Sequence, residues 1–188
     1  MVFRRLFVTT CLVVGLVAVS VGSADAATSP GTWAPKFCQA LKKWQTTITS
    51  ESKTASTALG NVSTGDLAGI RDEFVRFLGK DVAATQAAIK SIKKAGAPSS
   101  ANGSKIQTKV IASFQSASDV FAQAKADAAN LSTTDASSFV TNATKIQQDL
   151  NAASDAFQTN FSTVEKLDTK SEIDRAIRSA KACKFLAG

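Results

Sequence analysis

Apolar residues recur along most of the chain at intervals of three and four positions, which is the period of an α-helix. Four long segments show this pattern, over residues 33–59, 67–92, 106–131 and 139–167, and a short one follows at 173–183. Runs in which apolar and polar residues alternate, the mark of a half-buried strand, are missing after the first 26 residues. The pattern therefore predicts an all-α protein.

Residues that favour helix ends separate these segments. The first helix should stop near Gly60, and the second should stop at Gly96, where two lysines precede the glycine and a proline follows it. Thr64 or Asp66 is predicted to cap the start of the second helix. Capping-box spacings predict the starts of the later helices, at Ser104 with Gln107, Ser132 with Asp135, and Ser171 with Asp174.

The lengths of the segments and of the turns between them predict the architecture. Helices of roughly 26 to 33 residues each span about 40 to 50 Å. Short turns between long amphipathic helices make successive helices antiparallel neighbours. We therefore expect an antiparallel up-down-up-down four-helix bundle, with a short C-terminal fifth helix at the end where the first helix begins and the fourth stops.

The first 26 residues have the regions of a secretory signal peptide. Two arginines precede an apolar run over residues 6–21, and Ala24-Asp25-Ala26 fits an A-x-A cleavage site. The expected division is a cleaved signal peptide (1–26), a flexible N-terminus (27–32) and a single helical domain (33–188). An uncleaved anchor is the alternative, but the run is short of the ~20 apolar residues of a membrane span. We expect an exported protein, secreted or in the cell envelope, with no transmembrane segment in its mature chain.

Cleavage would leave two cysteines, Cys38 and Cys183, in a compartment where disulfides form and persist. We expect these two to be bonded if the fold brings the ends of the chain together. The bond would then clamp the short last helix across the end of the bundle. Free thiols or an intermolecular bond are the alternative.

The composition bears on catalysis, because the chain has no histidine and no tyrosine. Nucleophile pairs that need histidine and metal sites built on histidine are excluded. Ser50 with Lys53, and Ser91 with Lys94, match the S-x-x-K spacing of penicillin-interacting enzymes, but the S-D-N and K-T-G elements are missing. We interpret both as chance matches and predict no catalytic residues, no metal and no cofactor. An enzyme built from serine, lysine and carboxylates alone is the alternative.

The net charge of the chain is +7, and without residues 1–26 there remain 20 basic and 14 acidic side chains. This excess is spread along the sequence, and nucleic acid is not an expected partner outside the cell. Four basic residues near the C-terminus form a candidate docking patch: Arg175, Arg178, Lys181 and Lys184. The helix dipole is a purely structural explanation for such cations, since it favours each one near a C-terminal end by about 0.3 to 1 kcal/mol.

Four phenylalanines of the third and fourth helices face many alanines: Phe114, Phe121, Phe157 and Phe161. A closed core is the ordinary role of such a stripe. If these rings hold the helices apart, they would instead line an apolar cavity.

The two ends of the chain resemble those of small exported helical proteins of high-GC Gram-positive bacteria. The resemblance rests on a signal ending near ADAATS, on F-C-x-x-L at Phe37 to Leu41, and on A-C-x-x-L at Ala182 to Leu186. It implies an exported compartment and a disulfide, and no particular activity. We therefore expect a non-enzymatic binding protein that docks onto a protein or an anionic envelope surface. A carrier that holds an apolar small molecule or lipid between its helices is the competing hypothesis.

Overall fold

The computed structural model describes residues 27–61, 63 and 65–186, so the predicted signal peptide lies outside the described residues. The elements are α1 (Pro30–Asn61), α2 (Leu67–Ala95), α3 (Gly103–Ala129), α4 (Ala136–Leu167), α5 (Glu172–Ser179) and a C-terminal 3-10 helix (Lys181–Leu186). Within the described ranges, the only extended pairing is an isolated bridge between Thr28 and Pro98. The all-α prediction is confirmed.

Both ends of α2 follow the local signals in its sequence. The carboxylate of Asp66 accepts a hydrogen bond of 2.8 Å from the backbone N–H of Gly69, which satisfies one of the unpaired donors of the first turn. Gly96 follows the last turn with a φ of 75°, a left-handed conformation that glycine adopts without a steric penalty. Thr64, the other predicted cap, lies outside the described residues.

The capping boxes predicted for α3 and α4 are wrong by two positions and by about one turn, respectively. Helix α3 begins at Gly103, before Ser104, and its cap position is held by Asn102. Helix α4 is capped by Asp135, whose carboxylate accepts from two backbone N–H groups of the first turn. Ser132 instead accepts a hydrogen bond of 3.0 Å from the N–H of Asp135. The Ser132 hydroxyl accepts from N–H groups that precede the helix, those of Thr134 and Asp135, so the free N–H groups of the first helical turn are left to the carboxylate of Asp135.

The short helix α5 is also capped differently from the prediction. Ser171 occupies the cap position in a left-handed conformation, and its side chain makes no capping hydrogen bond. The carboxylate of Asp168 accepts instead from the N–H groups of Glu172 (2.9 Å) and Asp174 (2.8 Å). Asp168 is the residue that follows α4, so one side chain joins the end of α4 to the start of α5.

Successive helices pack closely in the order α1 on α2, α2 on α3 and α3 on α4. Cross-contacts show that α1 and α2 are antiparallel: Trp44 bonds to Thr85, whereas Glu51, later in α1, pairs with Arg76, earlier in α2. Contacts between the start of α3 and the end of α4 show the same for that pair. We call the end with the start of α1 and the C-terminal segment the basal end. The distal end is the one where α1 leads into α2.

The predicted disulfide between Cys38 and Cys183 is confirmed. It joins residues 145 positions apart, and both cysteines are buried. Helix α5 and the 3-10 helix both pack against α1, where Ile173, Ile177 and Leu186 are buried in the core. The C-terminal segment therefore closes the basal end.

The N-terminal residues also contact the basal end. Thr28 donates to the carbonyl of Ala97 (2.8 Å) and accepts from the N–H of Ser99 (2.7 Å). Helix α1 begins at Pro30, three residues before the predicted domain boundary at residue 33. Residues 28–32, for which the sequence predicted flexibility, thus have hydrogen-bonded or helical structure.

The turn between α2 and α3 is tight enough to require a glycine. A Cβ atom on Gly103 would lie 1.6 Å from the carbonyl oxygen of Pro98, far inside any real contact. Pro98 is itself buried. This turn connects the end of α2 to the start of α3, so both lie at the basal end.

The core has two apolar clusters, and buried polar side chains lie between them. The basal cluster includes both tryptophans, and the distal cluster is built around Leu78, Phe139 and Ile146. Between them on α2 lie the buried side chains of Asp81 and Thr85. The hydroxyl of Thr85 accepts from the indole N–H of Trp44 (3.0 Å) and donates to the carbonyl of Asp81 (2.7 Å).

Candidate functional site

All four residues of the predicted docking patch lie exposed on the C-terminal segment. Arg175 and Arg178 are on α5, and Lys181 and Lys184 are on the 3-10 helix. The guanidinium of Arg178 donates to the carboxylate of Asp174 at 2.8 Å. The disulfide holds this segment on α1, so the four cations have a fixed position at the basal end.

These four cations belong to a much larger basic surface. The basal halves of the helices and the C-terminal segment, residues 27–45, 82–116 and 152–186, contain 14 basic and five acidic side chains. Every one of these basic residues is exposed. We call this set the basal face: Lys36, Lys42, Lys43, Lys90, Lys93, Lys94, Lys105, Lys109, Lys166, Lys170, Arg175, Arg178, Lys181 and Lys184.

The distal half has the opposite balance. Residues 46–81 and 117–151 contain six basic and nine acidic side chains. Among the described residues, most ion pairs also lie there, and a single one, Arg178 with Asp174, involves the basal face. The charge that appears spread along the sequence is thus separated by the fold into a basal side-chain charge of +9 and a distal one of −3.

The helix dipole accounts for five of the 14 basal cations. These five lie in the last turns of α2, α4, α5 and the 3-10 helix, where the dipole favours cations: Lys93, Lys94, Lys166, Arg178 and Lys184. Lys105 and Lys109 are near the start of α3, the end at which the dipole disfavours them. The stability of individual helices therefore does not explain the basal face as a whole.

The four predicted cavity phenylalanines are not brought to one place. Phe114, Phe157 and Phe161 pack ring against ring in the basal cluster, with centroids 4.8 to 6.1 Å apart. Phe121 is half-buried against the distal cluster. Phe161 alone of these borders a small basal cavity of about 200 Å³, between α1, α3, α4 and α5.

A larger cavity of about 550 Å³ lies at the distal end, in a groove between α1 and α4 with α2 as its floor. Nine of its fourteen lining residues are apolar: Ala55, Leu59, Phe74, Phe77, Phe139, Val140, Ala143, Ile146 and Leu150. Val140 is 63% exposed, and Phe74, Phe77 and Leu150 are only partly buried. Sequence reasoning missed this groove, although Val140 breaks the polar outer face of α4.

Glu73, the one charged residue among the groove's lining side chains, belongs to a three-residue ion network. Arg76 donates to Glu73 (2.6 Å) and also to Glu51 across the α1–α2 contact (2.8 Å). The hydrogen bond from Arg76 lowers the pKa of Glu73, and the bonds to both carboxylates raise the pKa of Arg76. Two carboxylates share one guanidinium, so the network has a net charge of −1.

Asp81 is a second feature that the sequence did not reveal. Its side chain is 1% exposed, and its Oδ1 atom has no hydrogen-bond partner among the described residues. Burial raises the pKa of Asp81 to about 7, and the negative charge of Glu51 adds to the rise, while Arg76 opposes it. A carboxyl group with these properties changes its charge near neutral pH.

The remaining candidate chemistry lies on helix surfaces. Both S-x-x-K pairs are exposed, and the Ser91 hydroxyl donates to the carbonyl of Ala87 in the preceding turn. The described part of the chain contains no group of three or more Cys, Asp or Glu side chains placed to hold a metal ion. None of its helices is both long and apolar enough to cross a membrane.

Comparison with known proteins gives no relative from which a function could be transferred. No protein family, no curated protein and no solved structure matches the chain.

Proposed function

We propose that this chain is an exported, non-enzymatic binding protein that docks through its basal face onto an anionic, phosphate-bearing surface of the cell envelope. One observation carries the proposal: the basal half has 14 exposed basic side chains and only five acidic ones. Placing so many like charges together costs self-repulsion, which an anionic partner would relieve. The disulfide supports the proposal because it holds the C-terminal cations beside α1, which carries Lys36, Lys42 and Lys43.

The proposed architecture is the antiparallel up-down-up-down four-helix bundle, with α5 clamped across its base. In that frame the basal face receives cations from all four long helices and from the C-terminal segment, so it curves around one end of the molecule. A flat anionic surface or a flexible polyanion would contact several of these elements at once.

The docking surface is tested by removing three cations that make no ion pair with any described residue, with Arg175→Gln, Lys181→Gln and Lys184→Gln combined. Cosedimentation is measured with phosphatidylcholine vesicles that do or do not contain phosphatidylglycerol. Each basic residue near an anionic membrane is worth about 1 kcal/mol, so the triple variant should bind about a hundredfold more weakly.

A matched control separates the position of the charges from their number. Lys53, Lys80 and Lys125 are exposed residues of the distal half, and changing all three to glutamine alters the net charge by the same amount. This control should bind nearly as well as the native protein. Equal losses in both triple variants would refute docking through the basal face, and so would native binding that is unaffected by salt.

Competition identifies the source of the phosphate. A soluble polyphosphate that displaces the protein from vesicles would show that phosphate groups alone are recognised, whereas vesicle binding that resists the polymer would assign the partner to a lipid surface. Export is tested by the intact mass of the protein from the exported fraction, which should correspond to a chain that starts at Ala27.

The distal groove favours a second function, the carriage of an apolar small molecule. Its walls are apolar and partly open to solvent, as expected for a ligand site of ordinary volume. It differs in position from the cavity that the phenylalanine stripe predicted.

A further inference from the structure

We propose that the distal groove binds one single-chain amphiphile whose head group is not anionic, with its alkyl chain between α1 and α4 and its head at the acidic rim. This inference rests on the second function, carriage of an apolar molecule, and not on docking through the basal face. The two involve opposite ends of the molecule, so one can fail while the other holds.

The groove exists because α1 and α4 do not pack closely. The closely packed helix pairs in the described part of the chain run from α1 through α2 and α3 to α4, without closing back from α4 onto α1. At the basal end, Trp44 and Phe157 bridge the gap with a ring contact of 5.8 Å. At the distal end the facing residues include the small Ala55 and Ala143, which leave the space between the helices unfilled.

The walls of the groove are suited to an alkyl chain. Phe74 and Phe77 form the floor on α2, and Leu150 and Val140 lie along α4. All four retain apolar surface that a chain would remove from water, with a gain of about 25 cal/mol for each Å² buried. The volume of about 550 Å³ lies within the range of pockets that hold small organic ligands.

The charges at the rim select the head group. The lining residues include no lysine or arginine, and their polar members are Ser52, Ser56, Glu73, Thr144 and Gln147. Glu73 belongs to the network that has one more carboxylate than guanidinium, and the distal half as a whole has a net side-chain charge of −3. An ammonium or an uncharged polar head is compatible with this rim, whereas a carboxylate or sulfate would be repelled.

The groove is tested by filling it. Ala143→Trp places a large side chain in the space, and Val140→Ser removes apolar surface at a position that is mostly exposed to solvent. Ala152→Trp is the matched control, because Ala152 is an exposed residue of the same helix outside the groove. Binding is measured with the neutral dye Nile red, after circular dichroism has shown that each variant is folded.

We expect the native protein and Ala152→Trp to bind the dye at one site with equal affinity. Ala143→Trp should weaken binding by about tenfold or more, and Val140→Ser should weaken it by a smaller factor. Dye binding that is absent in the native protein, or that is unchanged in both groove variants, would overturn the proposal. Val140→Ser keeps the test decisive if the tryptophan variant does not fold.

Head-group selection is tested by displacing the dye with three surfactants of equal chain length below their micelle concentrations. An alkyl trimethylammonium and an alkyl maltoside should displace it, and an alkyl sulfate should do so at least about tenfold less well. Glu73→Gln should reduce the preference for the ammonium over the maltoside by about tenfold. Preferred binding of the sulfate would refute the assignment of the head group, even if the groove binds the dye.

Discussion

The titration of Asp81 is the most direct test of the core, because its carboxyl group is buried between the two apolar clusters and its Oδ1 atom has no hydrogen-bond partner in the described part of the chain. In the unfolded chain this group titrates near its ordinary pKa of 3.8, and in the folded protein its pKa is raised to about 7. The folded state therefore binds the proton more tightly. The free energy of unfolding should fall as the pH rises from about 4 to about 7, and then stay constant.

The size of this fall follows from the two pKa values. Each tenfold difference in proton affinity between the folded and unfolded chain is worth about 1.4 kcal/mol, so the whole fall is about 4 kcal/mol. That is a large share of the stability of a typical domain, about 5 to 15 kcal/mol. Asp81→Asn cannot ionise and should remove the fall. Its amide still leaves polar atoms unpaired, at a cost of about 1 to 3 kcal/mol, so the decisive quantity is the slope with pH.

The assay is urea unfolding at a series of pH values from about 4.5 to 8, followed by the fluorescence of Trp33 and Trp44, which are both buried in the basal cluster. Because the chain contains no histidine, no other side chain ordinarily titrates in the middle of this range. Asp155→Asn, at an exposed position of α4, is the matched control and should keep the native slope. A native protein with constant stability over this range, or a slope that persists in Asp81→Asn, would refute the reasoning.

Three further predictions concern the basal end. The chain that starts at Ala27, which lacks Cys11, should show no free thiol on alkylation, and labelled Cys38 or Cys183 would contradict the disulfide. Replacing Cys38 and Cys183 together by serine should lower the free energy of unfolding by up to about 5 kcal/mol. Asp168→Ala should lower the free energy of unfolding by about 1 to 2 kcal/mol and should speed amide exchange at the start of α5. Unchanged amide exchange there would exclude the capping role of Asp168. Gly103→Ala should lower the melting temperature. Gly60→Ala should not, because a Cβ atom added at Gly60 would have no described heavy atom within 4 Å. Equal effects of the two substitutions would mean that the tight turn does not require glycine.

The sequence by itself determined the helices of this protein and both ends of α2. Apolar spacing and end signals such as Asp66 and Gly96 act between residues that are close in the sequence, so their outcome does not depend on the rest of the fold. The disulfide was predictable for another reason: cleavage of the expected signal peptide leaves two cysteines, which allow one intramolecular pairing.

The remaining features depend on contacts between distant parts of the chain. Asn102 donates to the carbonyl of Leu167, 65 residues later, because the packing of the basal end brings the start of α3 to the end of α4. In the sequence, Asp81 cannot be distinguished from a surface carboxylate, because its burial results from the packing of the helices.

Only the tertiary structure decided where the charges and the open apolar surface lie. Lysines from four helices are scattered in sequence, and the packing of the helices collects most of them around the basal cluster, while most acidic residues lie around the distal cluster. The distal groove exists because α1 and α4 stay apart there, which depends on the small side chains that face each other across the gap. Periodicity shows which face of each helix is apolar, but the distance between two helices is set by the side chains that meet between them.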